Sequence, residues 1–163
     1  MKISTLLFVS ATLCLSGMAL PVARVQNAAL KVYTQAQLLE MEHQLREKED
    51  KSKGVASQSL ETYDSRRTLL ATRDKDGQSE MHAKVSDFFV VVEGEATLVY
   101  GGTMVNPKSL PNGESLGDSV KDGQQIKLAK GDVVQIPPNI PHQLLVAKGK
   151  TFTYFVIKFQ EHP

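Results

Sequence analysis

Disulfides are out of reach for this chain, because its 163 residues contain a single cysteine, Cys14. A strong charge of either sign is also lacking. Lys plus Arg number 19 against 18 for Asp plus Glu, so no field of one sign exists to hold nucleic acid or an anionic membrane surface. No serine stands in a nucleophile-elbow setting, and no glycine-rich loop precedes a helix to cradle phosphate. No repeat of fixed period is visible. What is present is ordinary: 41% hydrophobic and 23% charged residues, the balance of a globular domain. The length leaves room for one domain able to bury its own core.

Residues 1–19, MKISTLLFVSATLCLSGMA, have the layout of a secretory leader. Lys2 supplies the positive start and Leu6–Leu15 a short apolar core. Gly17 and Ala19 stand three and one positions before a cut ahead of Leu20. The apolar run is too short to span a bilayer. Lipid attachment through Cys14 is disfavoured, because Leu13 fills the place of a small residue. The expectation is a signal peptide over 1–19 and an exported protein, periplasmic or secreted, with no membrane attachment after cleavage. Losing Lys2 and Cys14 leaves 18 basic and 18 acidic residues and no thiol. Thiol catalysis is excluded, and stability falls to the hydrophobic core or to a metal.

Residues 20–33 carry little pattern and read as a linker. Thr34-Gln35-Ala36-Gln37 has capping-box spacing, and Leu38, Met41 and Leu45 then recur on one helical face. An amphipathic helix is expected from Thr34 to Lys51, ending near Lys53-Gly54, with residues 20–57 as linker plus helix. Its acids and bases are mixed, which argues against a membrane-binding helix and for docking outside the domain. Within 58–163 the period becomes strand-like. Strands are expected at 68–72, 79–84, 88–92, 96–100, 125–128, 133–136, 143–147 and 151–159, separated by glycine, proline and asparagine turns. Residues 103–124 show no clear period and read as one long loop. Many short strands without intervening helices mean an all-β sandwich or barrel.

Two clusters stand out. Glu80-Met81-His82 puts Glu80 and His82 on one face of a strand, and Asp87 opens the next strand after a four-residue turn. Three prolines in Pro137-Pro138-Asn139-Ile140-Pro141 then stiffen the approach to His142. Two imidazoles with one or two carboxylates suit a first-row divalent ion and leave coordination positions open. Each cluster alone also reads as an ordinary surface salt link or a hydrogen-bonded turn.

Gly77–Gly94 and Gly131–Val146 resemble the two motifs of the cupin superfamily. The first motif reads His-x-His, three or four residues, Glu, six residues, Gly. Here Glu80, His82, Asp87 and Gly94 fall into that frame. The second is matched in register by Gly131, Pro137, Asn139, His142 and Val146. Glu80 replaces a histidine, Asp87 a longer glutamate, and Asn139 a glycine, both of which tolerate positive φ. The segments Gly94–Gly102 and Phe152–Lys158 are also similar to small single-domain bacterial cupins.

The resemblance implies a jelly-roll β-barrel with the amphipathic helix outside, a divalent transition metal (Mn, Fe, Ni, Cu or Zn) and a homodimer. It carries the ligand roles to Glu80, His82, Asp87 and His142, with Asp87 alternatively orienting a ligand or water. A small molecule inside the barrel is the expected partner. A metal-dependent enzyme, a metal-free binding module and a purely structural exported dimer all remain open from the residues alone. His43, Arg66, Arg67, Lys127 and Lys130 read as solvent-facing, and His162 as a terminal residue. Tyr154 and Phe89 read as core residues, and Glu114 as a residue of the long loop, where the loop's length alone suggests closure over the opening.

Overall fold

A computed structural model describes residues 30–48 and 54–161. The expected leader, the cut before Leu20, most of the linker, the helix end at Lys53 and His162 lie outside the described residues. Among those described, no helix is long and apolar enough to cross a membrane.

Helix α1 runs Gln35–Lys48. Its start follows from a reciprocal cap: the Gln37 N–H donates to Thr34 Oγ1 (3.2 Å), and the Thr34 N–H donates to Gln37 Oε1 (2.9 Å). Leu38 and Leu45 are buried and Met41 half-buried, as their spacing requires. They pack on Leu70, Val92 and Phe155, which are outward residues of the strands described next. Gln35 Nε2 adds a bond to the Val92 carbonyl (3.0 Å).

The strands are β1 (Val55–Thr62), β2 (Arg66–Arg73), β3 (Ser79–His82), β4 (Val85–Tyr100), β5 (Thr103–Val105), β6 (Lys108–Ser109), β7 (Glu114–Gly117), β8 (Ser119–Lys121), β9 (Gln124–Ala129), β10 (Val133–Ile136), β11 (His142–Leu145) and β12 (Phe152–Gln160). All pairings are antiparallel. The first half of β4 lies between β10 and β12, and β2 and β1 continue outward from β12. The second half lies between β9 and β11, and β3, β7 and β6 continue from β11. One long strand therefore joins two sheets that curl over a shared core of Ala71, Phe89, Val91, Leu98, Leu144, Phe152 and Val156. The fold is a jelly-roll β-barrel with a helix outside.

Gly94 makes the bend possible. Two strands joined at Gly94 were expected, yet β4 is continuous through it, with φ of 84°. A β-carbon there would collide with the Thr151 carbonyl oxygen, and the ladder with β12 slips at Thr153/Tyr154 beside it. This is a bulge at a barrel corner, where glycine relieves both the φ and the close approach.

Two other expectations change. β1 was not anticipated, because VASQSLET lacks apolar alternation. It faces Val55, Ser57 and Ser59 to a cavity and packs Ala56 and Leu60 toward the helix cluster. The loop 103–124 holds four strands of two to four residues each, too short to display a period. One of them, β7, pairs with β3 and sets Glu114 opposite His82.

Candidate functional site

The inward faces of the strands supply the site by simple alternation. Every second residue of β2 (Arg67, Leu69, Ala71, Arg73) and of β12 (Tyr154, Val156, Lys158) lines one cavity of about 340 Å³. Glu80 from β3, Asp87 and Phe89 from β4, Glu114 from β7 and His142 from β11 join them. The volume falls at the lower end of the roughly 300–1,000 Å³ range of small-molecule sites.

Glu80, His82 and His142 converge, with one ligand atom from each lying within 4.8 Å of the others. The pairing of β11 with β3 sets His142 directly across from Glu80. The proline-rich turn is clamped to the same strand, because the Asn139 N–H donates to the His82 carbonyl (2.8 Å). Asn139 holds φ of 62°, the conformation for which glycine or asparagine is suited. His142 Nδ1 lies 3.0 Å from the Ile140 carbonyl. A proton on that nitrogen leaves the Nε2 lone pair toward the cluster, the arrangement of a metal-binding imidazole. Burial pushes His142 below the ordinary histidine range, against the raising effects of the Ile140 bond, Glu80 and Asp87, which favours the neutral, ligating form.

Around His82 the groups are dense. Its Nε2 lies 3.3 Å from Asp87, 3.8 Å from Glu80 and 2.9 Å from Lys158 Nζ. Its buried Nδ1 makes no hydrogen bond among the described residues, with Glu114 Oε1 at 3.6 Å. The two imidazole rings stand 5.5 Å apart, tilted by 60°.

Asp87 takes a different place from the three. Lys158 Nζ donates to both its oxygens, at 2.7 and 2.6 Å, and one of them is 3.9 Å from His142 Nε2. Burial alone would raise the Asp87 carboxyl, but the hydrogen bond with His82 and the charge and bonds of Lys158 bring it down to about 2. Asp87 thus stays ionised, with both its oxygens bonded to the Lys158 ammonium.

Lys158 was not recognised from sequence, and neither was Arg73. The signal existed. In Phe152–Lys158, alternation sets Lys158 on the face of Tyr154 and Val156, and Arg73 on the face of Leu69 and Ala71. Arg67 is exposed, as expected, and from the cavity rim lies 3.8 Å from Glu114. Glu114, expected in the long loop, is a strand residue of β7 between His82 and Arg67. Tyr154 and Phe89 are buried as expected, with rings 5.3 Å apart, and also line the cavity. His43 is exposed beside Glu47.

No known family profile matches the chain, and no curated protein matches it. Solved structures similar to it include the polyketide cyclase RemF from Streptomyces resistomycificus. That match has 19% identity and covers 68% of each chain, with a TM-score of 0.48. KdgF from Halomonas sp. matches at 12% identity over 66% of this chain and 81% of that one, TM-score 0.47. A cupin superfamily protein from Desulfitobacterium hafniense matches at 16% identity over 66% and 78%, TM-score 0.46. The likeness is one of fold.

Proposed function

We propose that this chain is an exported cupin that binds a divalent transition metal and holds or transforms a small molecule inside the barrel. The observation that carries the reading is the convergence of Glu80, His82 and His142 on one point of the cavity wall. The two cupin-like motifs of the sequence supply these residues, and the mixed nitrogen and oxygen donors suit Mn, Fe, Ni, Cu or Zn. Glu80, His82 and His142 would hold the ion, which would supply Lewis-acid polarisation of a substrate oxygen. Asp87 fixes Lys158 beside His82, and the Ile140 carbonyl orients His142. A homodimer formed through a sheet edge, and release by cleavage ahead of Leu20, belong to the same reading.

The test is elemental analysis of protein purified without a metal-binding tag. About one transition metal per chain is expected, falling strongly in His82→Ala and His142→Ala. Protein that stays metal-free after reconstitution overturns the assignment.

A second reading rests on Lys158. Its Nζ stands 2.9 Å from His82 Nε2, so the chain already provides a cation at that nitrogen. A metal-free binding module would use this ammonium instead. Lys158→Met separates the two: metal affinity rises where ion and ammonium compete for His82, and ligand binding indifferent to metal marks the module.

A further inference from the structure

The cavity lined by Glu80 and His142 of the cluster has three further cationic side chains on its wall among the described residues: Arg67, Arg73 and Lys158. Two are matched. Lys158 is bound by both oxygens of Asp87, and Arg67 faces Glu114 at 3.8 Å. Arg73 is not. It is 8% exposed, no carboxylate among the described residues lies within ion-pairing distance of it, and its Nε is buried without a hydrogen-bond partner. Among the described residues its one side-chain bond is from Nη2 to the Tyr154 hydroxyl oxygen, at 3.1 Å. That hydroxyl accepts from Arg73 and keeps its own proton for donation.

A buried guanidinium without a counter-charge costs several kcal/mol unless something in the functional state offsets it. The fold makes room for this one. A β-carbon on Gly77 would meet Arg73 Nη1, so the guanidinium lies directly against the turn between β2 and β3. The Gly77 backbone is pinned by Gln143 Nε2, which donates to its carbonyl (2.7 Å), and by its own N–H on Leu144 (2.8 Å).

From this geometry we infer that the small molecule bound in the barrel carries a carboxylate, taken by Arg73 together with the Tyr154 hydroxyl. The substrate class deepens the proposed function and rests on the cavity being a ligand site. A planar guanidinium next to a hydroxyl donor matches a carboxylate edge. One unmatched positive charge fits a single-charge group better than phosphate, since Arg67 and Lys158 are already engaged by Glu114 and Asp87.

The experiment is calorimetric titration of purified protein with acetate, malonate and succinate, and with acetamide, malonamide, succinamide and inorganic phosphate. It is run on metal-loaded protein and on protein stripped with chelator and dialysed. The stripped protein is decisive, because there a carboxylate has no ion to coordinate. At least one carboxylate is expected to bind stripped protein roughly tenfold or more tightly than its amide, the scale of a charge-assisted pair of bonds. Arg73→Met abolishes that preference, Arg73→Lys keeps part of it, and Tyr154→Phe weakens it severalfold.

If no carboxylate outcompetes its amide on stripped wild-type protein, or if phosphate binds as well as the best carboxylate, the inference is overturned. Unchanged preference in folded Arg73→Met overturns it too. The wild-type comparison stands even where a variant fails to fold. Carboxylate preference in a protein that takes up no metal supports this inference while sinking the metal reading. About one metal per chain without carboxylate preference does the reverse.

Discussion

Two cationic side chains reach into the same barrel, one buried and one half-buried, and they are treated oppositely. Lys158 is enclosed with Asp87, both oxygens within 2.7 Å of its nitrogen. Arg73 is enclosed with a tyrosine hydroxyl and, among the described residues, no carboxylate. A buried pair offsets its own desolvation and, once formed, is costly to break at one end. A lone buried charge lowers the stability of the free protein, and so points beyond the fold, toward something the protein binds. The outer faces of the same strands sharpen the contrast. There β2 and β12 place Leu70 and Phe155 under α1, in an apolar cluster with Leu38, Leu45 and Val92. Stability comes from the apolar clusters, and the inward ends of the strands are released for chemistry.

The largest expected effect is at the closed pair. Asp87→Ala leaves the Lys158 ammonium buried without its partner, and urea denaturation should show a loss of about 3–5 kcal/mol. Asp87→Leu combined with Lys158→Met should recover most of that. Arg73→Met should instead leave stability within about 1 kcal/mol of wild type or raise it, because it removes a charge that the fold does not compensate. If Arg73→Met proves as damaging as Asp87→Ala, the two charges are alike and the contrast fails.

Under the helix, Leu70→Ala should cost about 2–5 kcal/mol by opening a hole between Leu38, Leu45 and Val92. It should leave metal content unchanged, since it faces away from the cavity.

Acid tests the pair without mutation. Asp87 is held at about 2 in the folded chain against 3.8 ordinarily. Its contribution, on the order of 2 kcal/mol, is fully present above pH 4 and is lost as pH falls through 2. His142 acts in a higher window. Its folded value is depressed by burial, so below its ordinary 6.5 the unfolded chain takes up more protons and stability declines with falling pH. Melting curves between pH 8 and 2 should show both regions, and the lower one should vanish in the Asp87→Leu/Lys158→Met chain. The smallest effect is at the cap: Thr34→Ala should cost about 1 kcal/mol by removing the acceptor of the Gln37 N–H.

Much of the barrel was legible because its strands alternate or run apolar between turn residues. β9, β10 and β12 sit within about one residue of expectation, and Thr34 starts α1 through the cap its spacing implies. β1 escaped because its inward face is valine and serine lining a cavity, so the usual apolar signal is reversed. β5 to β8 escaped because strands so short have no period to read. At the site, Glu80 and His82 shared a face by the geometry of any strand. Lys158 and Arg73 were equally available to that rule, but a cation at the end of an apolar run looks like a solvated tail until its neighbours are known.

Local chemistry along the chain dictated which residues alternate, where turns break the strands, and which side chains are able to ligate or carry charge. These depend on neighbours a few positions apart. The closure of the roll around β4 decided the rest: that His142 from β11 meets Glu80 and His82 from β3, that Lys158 closes on Asp87, and that Arg73 finds no carboxylate among the described residues. Partners separated by some sixty to eighty positions are brought together by ladder register and the bend at Gly94. Whether a buried charge is matched is fixed by that three-dimensional pairing, because electrostatic attraction depends on distance through space and not along the chain.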